Sequence, residues 1–140
     1  MNVVNAVYPD SNQLASLLDG APAGPIVMVN LLKFHDRAQY PDGRAESVSG
    51  REAYMRYVAE MRPIVEGAGG KFLFSCDVRS VVIGRVDEAW DVVALVEYPS
   101  AAEFRRIATS PQVQKIGIHR EAGLAGQLLI LTLGTDLSQG

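Results

Sequence analysis

Apolar and polar positions along this chain follow two rhythms, and the pair of rhythms occurs twice. From Val27 to Phe34 the residues VMVNLLKF are large or β-branched and apolar except for Asn30 and Lys33, and the breakers Gly24 and Pro25 precede them. That segment reads as a strand. After a polar stretch, Tyr54, Tyr57, Val58, Met61, Ile64, Val65 and Ala68 return at intervals of one helical face, with Glu52, Arg56, Glu60 and Glu66 on the wet side. Ser49 and Glu52 predict a capping box, Pro63 a kink, and Gly67, Gly69 and Gly70 the helix end. Lys71 to Ile83 then reads as extended chain, with Phe72, Phe74, Cys76 and Val78 alternating against Leu73, Ser75, Asp77 and Arg79.

The second unit has the same grammar. Asp91 to Tyr98 is a strand stopped by Pro99, and Ser100 with Glu103 predicts another capping box, opening a helix through about Thr109. Ser110 and Pro111 restart the register for a second short helix to about Gly123, and Gln127 to Leu133 closes the fold as a strand. Two β-α-β units predict an α+β fold, the ferredoxin-like β-α-β-β-α-β arrangement with an antiparallel sheet and helices on one face. The expectation is a single domain over 1–140: an N-terminal appendage (1–24) with a short helix near Ser11 to Leu18, a core (25–133) and a tail (134–140).

The strands are apolar on both faces, as Val93 and Leu95 show against Val92, Ala94 and Val96. A sheet wet on one side should alternate apolar with polar. The second face therefore needs a cover, most simply a second copy of the chain, which predicts a homodimer.

Composition narrows the classes. With 48% hydrophobic and 21% charged residues and a net charge of -3, this is an ordinary globular chain. The 13 basic residues are scattered among 16 acidic ones, which argues against a nucleic-acid partner. The first basic residue is Lys33, so no leader is expected, and no apolar run approaches the ~18 residues of a membrane span. The lone Cys76 cannot form an internal disulfide, which fits a reducing cytoplasm, and reads as a small, buried, inert residue. Two histidines and one cysteine leave little for a transition metal, so no metal site is expected. There is no phosphate-cradling loop, dinucleotide fingerprint, nucleophile elbow or zinc helix, and no tightly bound cofactor is expected.

GREAYMRY from Gly50 to Tyr57, the glycines at 69 and 70, Trp90-Asp91, EYPS from Glu97 to Ser100, Ser110-Pro111, His119-Arg120 and NLLKF from Asn30 to Phe34 occur in an order that resembles domain-of-unknown-function family 1330 over residues 25–133. The resemblance implies the dimeric α+β barrel superfamily, in which two ferredoxin-like sheets face each other. Relatives there include antibiotic-biosynthesis-type monooxygenases, haem-degrading enzymes, muconolactone isomerase and binding or sensing domains, so it implies architecture and a menu of functions. Haem-degrading relatives use an Asn, Trp and His set. This chain offers Asn30, Trp90 and His119, but at spacings that match no transferable motif.

The polar residues set in apolar surroundings are the candidates for chemistry. Asn30 shares a strand face with Met28, Leu32 and Phe34, where an unpaired amide costs ~1 to 3 kcal/mol. It serves either a structural hydrogen bond or a pocket that orients a ligand. Under the pocket reading, Asn30→Leu should not lower the melting temperature. Tyr54 and Tyr57 place hydroxyls on the buried side of their helix, for packing or for a ligand. His119 suits a donor or base beside Arg120, and equally a packing role. Arg120 suits a carboxylate, bound bidentately, or an internal ion pair. Trp90 and Asp91 open a strand, for packing and turn stabilisation or for a ligand, while His35 reads as a solvated loop residue. The loop from Asp36 to Val48, with its Pro41-Asp42-Gly43 turn signal, is either a cover for the pocket or an insertion. The expected function is to bind or transform a small organic molecule between sheet and helices, monooxygenase-like or isomerase-like without a tight cofactor. The alternative is a non-catalytic binding or sensing module.

Overall fold

A computed structural model describes residues 2–21 and 23–134. Its elements are α1 (Ser11–Ser16), β1 (Ile26–Phe34), α2 (Gly50–Gly67), β2 (Lys71–Asp77), β3 (Val92–Tyr98), α3 (Ala101–Ala108), α4 (Pro111–Gly123) and β4 (Leu124–Thr132). The strands form one sheet in the order β2-β3-β1-β4, with every neighbouring pair antiparallel. This is the ferredoxin-like arrangement: each β-α-β unit leaves room for a strand of the other between its own two. The part of the expected tail beyond Gly134 lies outside the described residues.

The capping signals act locally as sequence suggests, with one exception. Ser49 Oγ accepts from the Glu52 amide at 3.0 Å and Glu52 Oε1 from the Ser49 amide at 3.5 Å, closing the box at the start of α2. Helix α2 continues through Pro63. At α3, Ser100 Oγ accepts from the Glu103 amide at 3.0 Å, but the Glu103 carboxylate pairs with Arg106 instead of reaching back. Only half of that box forms.

The register fixes which residues share a face. Met28, Val96, Phe72 and Leu131 form one row on the helix-covered side, and Asn30, Ala94 and Leu129 the next. On the other side Phe74, Leu95, Val29 and Ile130 lie abreast, followed by Cys76, Val93, Leu31 and Leu128. Ile26, Met28, Met61, Val65, Val96 and Ile107 are the centre of the core between sheet and helices. The opposite, apolar face has no cover among the described residues, and Phe74 and Ile130 are about half exposed, at 52% and 45%.

Three expectations change. The strand after α2 ends at Asp77, because the Val78 amide bonds the Asp91 carbonyl at 2.8 Å and closes the hairpin there. Val82 and Ile83 belong to the loop beyond and are exposed. Cys76 is exposed rather than buried, since it stands on the open face of an edge strand. The last strand starts at Leu124, directly from α4.

Two close backbone approaches set the spacing of the elements around the core. A Cβ at Gly50 would stand 2.7 Å from the Gly123 carbonyl oxygen, and one at Gly123 would stand 2.4 Å from that of Gly50. The start of α2 and the end of α4 therefore cross backbone against backbone. At Gly126, a Cβ would meet the Asn5 Cβ at 2.7 Å. The N-terminal segment passes there along the β4 edge, where Ala6 and Gln127 exchange backbone hydrogen bonds at 3.2 and 2.8 Å.

Candidate functional site

Beyond the Gly50–Gly123 crossing, the space between sheet and helices is not filled. A cavity of about 730 Å³ is bounded by Met28, Asn30 and Val96 of the sheet, by Tyr54, Tyr57 and Met61 of α2, and by Val113, Gly117 and Arg120 of α4. Residues between Val4 and Leu17 form a further wall. The helical residues arise at spacings of three and four, so each set shares one face. A glycine inside a helix costs about 0.5–1 kcal/mol relative to alanine. Gly117 has no close approach to account for that cost, since a Cβ there would meet nothing within 4 Å.

A hydrogen-bond relay crosses the cavity wall. Arg120 Nη2 donates to Gln127 Oε1 at 2.6 Å, and Gln127 Nε2 donates to Asn30 Oδ1 at 2.9 Å. Asn30 Nδ2 reaches the carbonyls of Met28 and Ala94 only at 3.3 and 3.4 Å. These separations lie at the long end of the N–H···O range, so both bonds are weak. Asn30 thus has a structural partner in Gln127 and long bonds from its Nδ2 to the sheet backbone, at the wall of the cavity.

Three tyrosines add polar heads. Tyr54, Tyr57 and Tyr98 line the cavity. No sealed polar side-chain atom among the described residues lacks a partner, and these hydroxyls make no hydrogen bond to any of those residues, so they open into the cavity. Burial pushes all three phenols above their ordinary value of 10.0, with Arg120 acting in the opposite direction on Tyr54 and Tyr57. At neutral pH they are donors and not bases. Tyr8, from the N-terminal wall, donates to Glu121 Oε2 at 2.7 Å and lays its ring 5.6 Å from the Arg120 guanidinium. Burial first, and the Glu121 contact second, raise its phenol too.

Of the residues expected at a site, Asn30, Tyr54, Tyr57 and Arg120 come together here. His119 does not line the cavity. Neighbouring helix positions point about 100° apart, and the His119 Nδ1 lies 2.8 Å from the Tyr40 hydroxyl, on the side of α4 packed by the 36–48 loop. Arg56 Nη1 donates to the same hydroxyl at 2.9 Å. The loop itself is tied down by bonds from the Ala38 amide to Val48 and from the Gln39 amide to Ala122, away from the cavity. Trp90 is also elsewhere, its Nε1 donating to Asn5 Oδ1 at 2.7 Å. Asp91 joins β1 to β3 by accepting from the Phe34 amide at 2.8 Å. Asn30, Trp90 and His119 are therefore not gathered in the cavity as a haem-type set. No group of three or more His, Cys, Asp or Glu side chains among the described residues is placed to hold a metal ion.

Sequence reasoning missed Gln127, Tyr8, Tyr98 and the N-terminal wall. Gln127 carried a usable signal, since it is an amide leading an apolar strand, LAGQLLILT, as Asn30 interrupts one.

Fold and cavity together define a ferredoxin-like α+β domain with a ligand-sized space between sheet and helices. Residues 43–133 match the family described as Domain of unknown function (DUF1330), and the chain belongs to that family. It is 32% identical to a protein of unknown function from Rhodopseudomonas palustris, with a TM-score of 0.85 over 95% of this chain and 99% of that one. The methylated form of that protein gives a TM-score of 0.87 over 96% and 98%. A candidate antibiotic biosynthesis monooxygenase from Caulobacter crescentus shares the fold at 17% identity and a TM-score of 0.50, covering 81% of this chain and 92% of that one. No curated protein matches the sequence significantly. Among the described residues no helix is long and apolar enough to cross a membrane.

Proposed function

We propose that this protein binds a small organic molecule in the cavity between the sheet, α2 and α4. The observation that carries the reading is the set of tyrosine hydroxyls, of Tyr54, Tyr57 and Tyr98, without partners among the described residues, in a space of about 730 Å³ with largely apolar walls. Small-molecule sites have this size and this mixture, with a few polar groups fixing orientation in an apolar enclosure. Gly117 supports it, because a Cβ at that point would meet nothing within 4 Å and would stand in the space.

The geometry favours binding over acid–base catalysis. Neither a histidine nor a carboxylate lines the cavity among the described residues, so a general base is missing there. Transformation remains the second reading in one form: a substrate that supplies its own reactivity, with the protonated tyrosines and Asn30 donating hydrogen bonds to developing negative charge on oxygen. A thermal-shift screen of metabolites against the native protein and Gly117→Phe tests the cavity. At least one compound should raise the melting temperature of the native protein and leave that of the folded variant unchanged. Equal shifts in both proteins, or none in either, would refute the reading.

We also infer that the protein is a cytoplasmic homodimer. The rows Phe74-Leu95-Val29-Ile130 and Cys76-Val93-Leu31-Leu128 support a second copy against the open face. The unpaired, exposed cysteine fits a reducing compartment.

A further inference from the structure

We propose that the ligand is an amphipathic organic anion, a carboxylate with an extended apolar body, whose head is held by Arg120, Tyr54, Tyr57 and Asn30. This rests on the cavity being the functional site. Local charge opposes the charge of the molecule. The whole chain has a formal charge of -3, yet the charged residues lining the cavity, among those described, are Arg105 and Arg120. Arg105 is exposed, whereas Arg120 is partly buried.

Arg120 also lacks a counter-charge. It makes no ion pair within 4.0 Å among the described residues, although seven other pairs form. The nearest candidate in sequence, Glu121, is occupied by the Tyr8 hydroxyl. The C-terminal turn of α4 favours a cation at position 120 and so helps to explain the charge. It does not explain why the guanidinium is set among tyrosines and amides without a carboxylate. Burying a cation without a counter-charge is costly, and an anionic ligand would relieve that cost.

Hydrogen-bond polarity points the same way, independently of net charge. Arg120 has only donors, Tyr54 and Tyr57 hold their protons, and Asn30 presents an Nδ2 whose own bonds, at 3.3 and 3.4 Å, are long and exchangeable for a better acceptor. The good acceptors nearby, Gln127 Oε1 and Asn30 Oδ1, are already engaged by the relay. Around Arg120 the donors outnumber the free acceptors, which fits a group that only accepts, and a carboxylate is the compact organic example. From Arg120 the cavity runs along α4 past Gly117 to Val113, which at 1.5 Å per residue is about 10 Å. Met28, Met61, Val96, Phe104 and Leu131 supply its apolar walls, matching a tail rather than a second charge.

The test uses the full chain and three probes sharing one tail: decanoate, decan-1-ol and decylammonium, titrated by calorimetry. Decanoate should bind at least about tenfold more tightly than the alcohol, as expected for a charge-assisted contact. Arg120→Gln should lose that advantage while keeping alcohol binding, and Arg120→Lys should retain part of it. The melting temperature of each variant without ligand establishes that it is folded. Equal affinity for acid and alcohol, preference for the ammonium, or an unchanged preference in Arg120→Gln would overturn the anion inference. If the alcohol still binds and Gly117→Phe abolishes it, the cavity reading survives that failure. Should none of the three probes bind while screened metabolites do, the inference falls alone; with no binding of any kind, both fall.

Discussion

Asn30 shows how a single polar residue changes meaning once its partner is known. Read alone, it is either a structural hydrogen bond or an amide ready for a ligand, and under the second reading its replacement by leucine should not harm the fold. In the structure its Oδ1 accepts from Gln127, which is buried, with 7% of its surface exposed. Asn30→Leu then strands a buried amide, so the expectation becomes a loss of ~1 to 3 kcal/mol. Gln127→Leu should cost a similar amount by removing the acceptor used by Arg120. Because the two amides share one bond, the double variant should be more stable than the sum of the single losses implies, with a coupling of ~0.5 to 3 kcal/mol in denaturant titrations. Additive losses would mean that the bond contributes nothing and that Asn30 is held for its free donor alone.

At the scale of elements, what was legible follows from periodicity. Strands β1 and β3 and helix α2 have unbroken patterns, and their boundaries fall where the breakers stand. The rotation of α4 was not legible: Gln112, Gln114, Lys115, His119, Arg120 and Glu121 distribute polarity around the helix, so sequence could not say whether His119 or Arg120 faces the sheet. Tyr40 decides it, from a loop without a period of its own. The N-terminal wall was illegible for a related reason. Its hold on the sheet is the bridge from Ala6 to Gln127, with Trp90 binding Asn5, and such short contacts at long sequence separation leave no pattern. Gly126 makes that wall possible. Gly126→Val should push Asn5 away, break its bond to Trp90 and change the emission of the only tryptophan, with increased proteolysis before Ile26. Native emission and native protease resistance in that variant would show that the segment does not depend on the close approach.

For the whole molecule, the sheet face carrying Phe74 and Ile130 is apolar and exposed, and a second copy would cover it. Light scattering at micromolar concentration should give twice the chain mass of 15.1 kDa. Phe74→Glu, in the row with Leu95, Val29 and Ile130, should shift the protein toward monomer. Cys76 gives an internal check, because it shares the neighbouring row and should label slowly in the dimer and rapidly in that variant. A native monomer with rapidly labelled Cys76 would refute the assembly. Gln127 couples two other parts of the molecule. Its backbone clasps Ala6 while its side chain joins Arg120 to Asn30, so one residue belongs both to the N-terminal wall and to the anchor of the cavity. Seating of the first residues and the proposed occupancy of the cavity would then be linked equilibria. Under the proposed binding, a ligand would steady the first residues by the same coupling free energy with which their seating favours the ligand, and affinity would depend on the N-terminal segment as well as on the core.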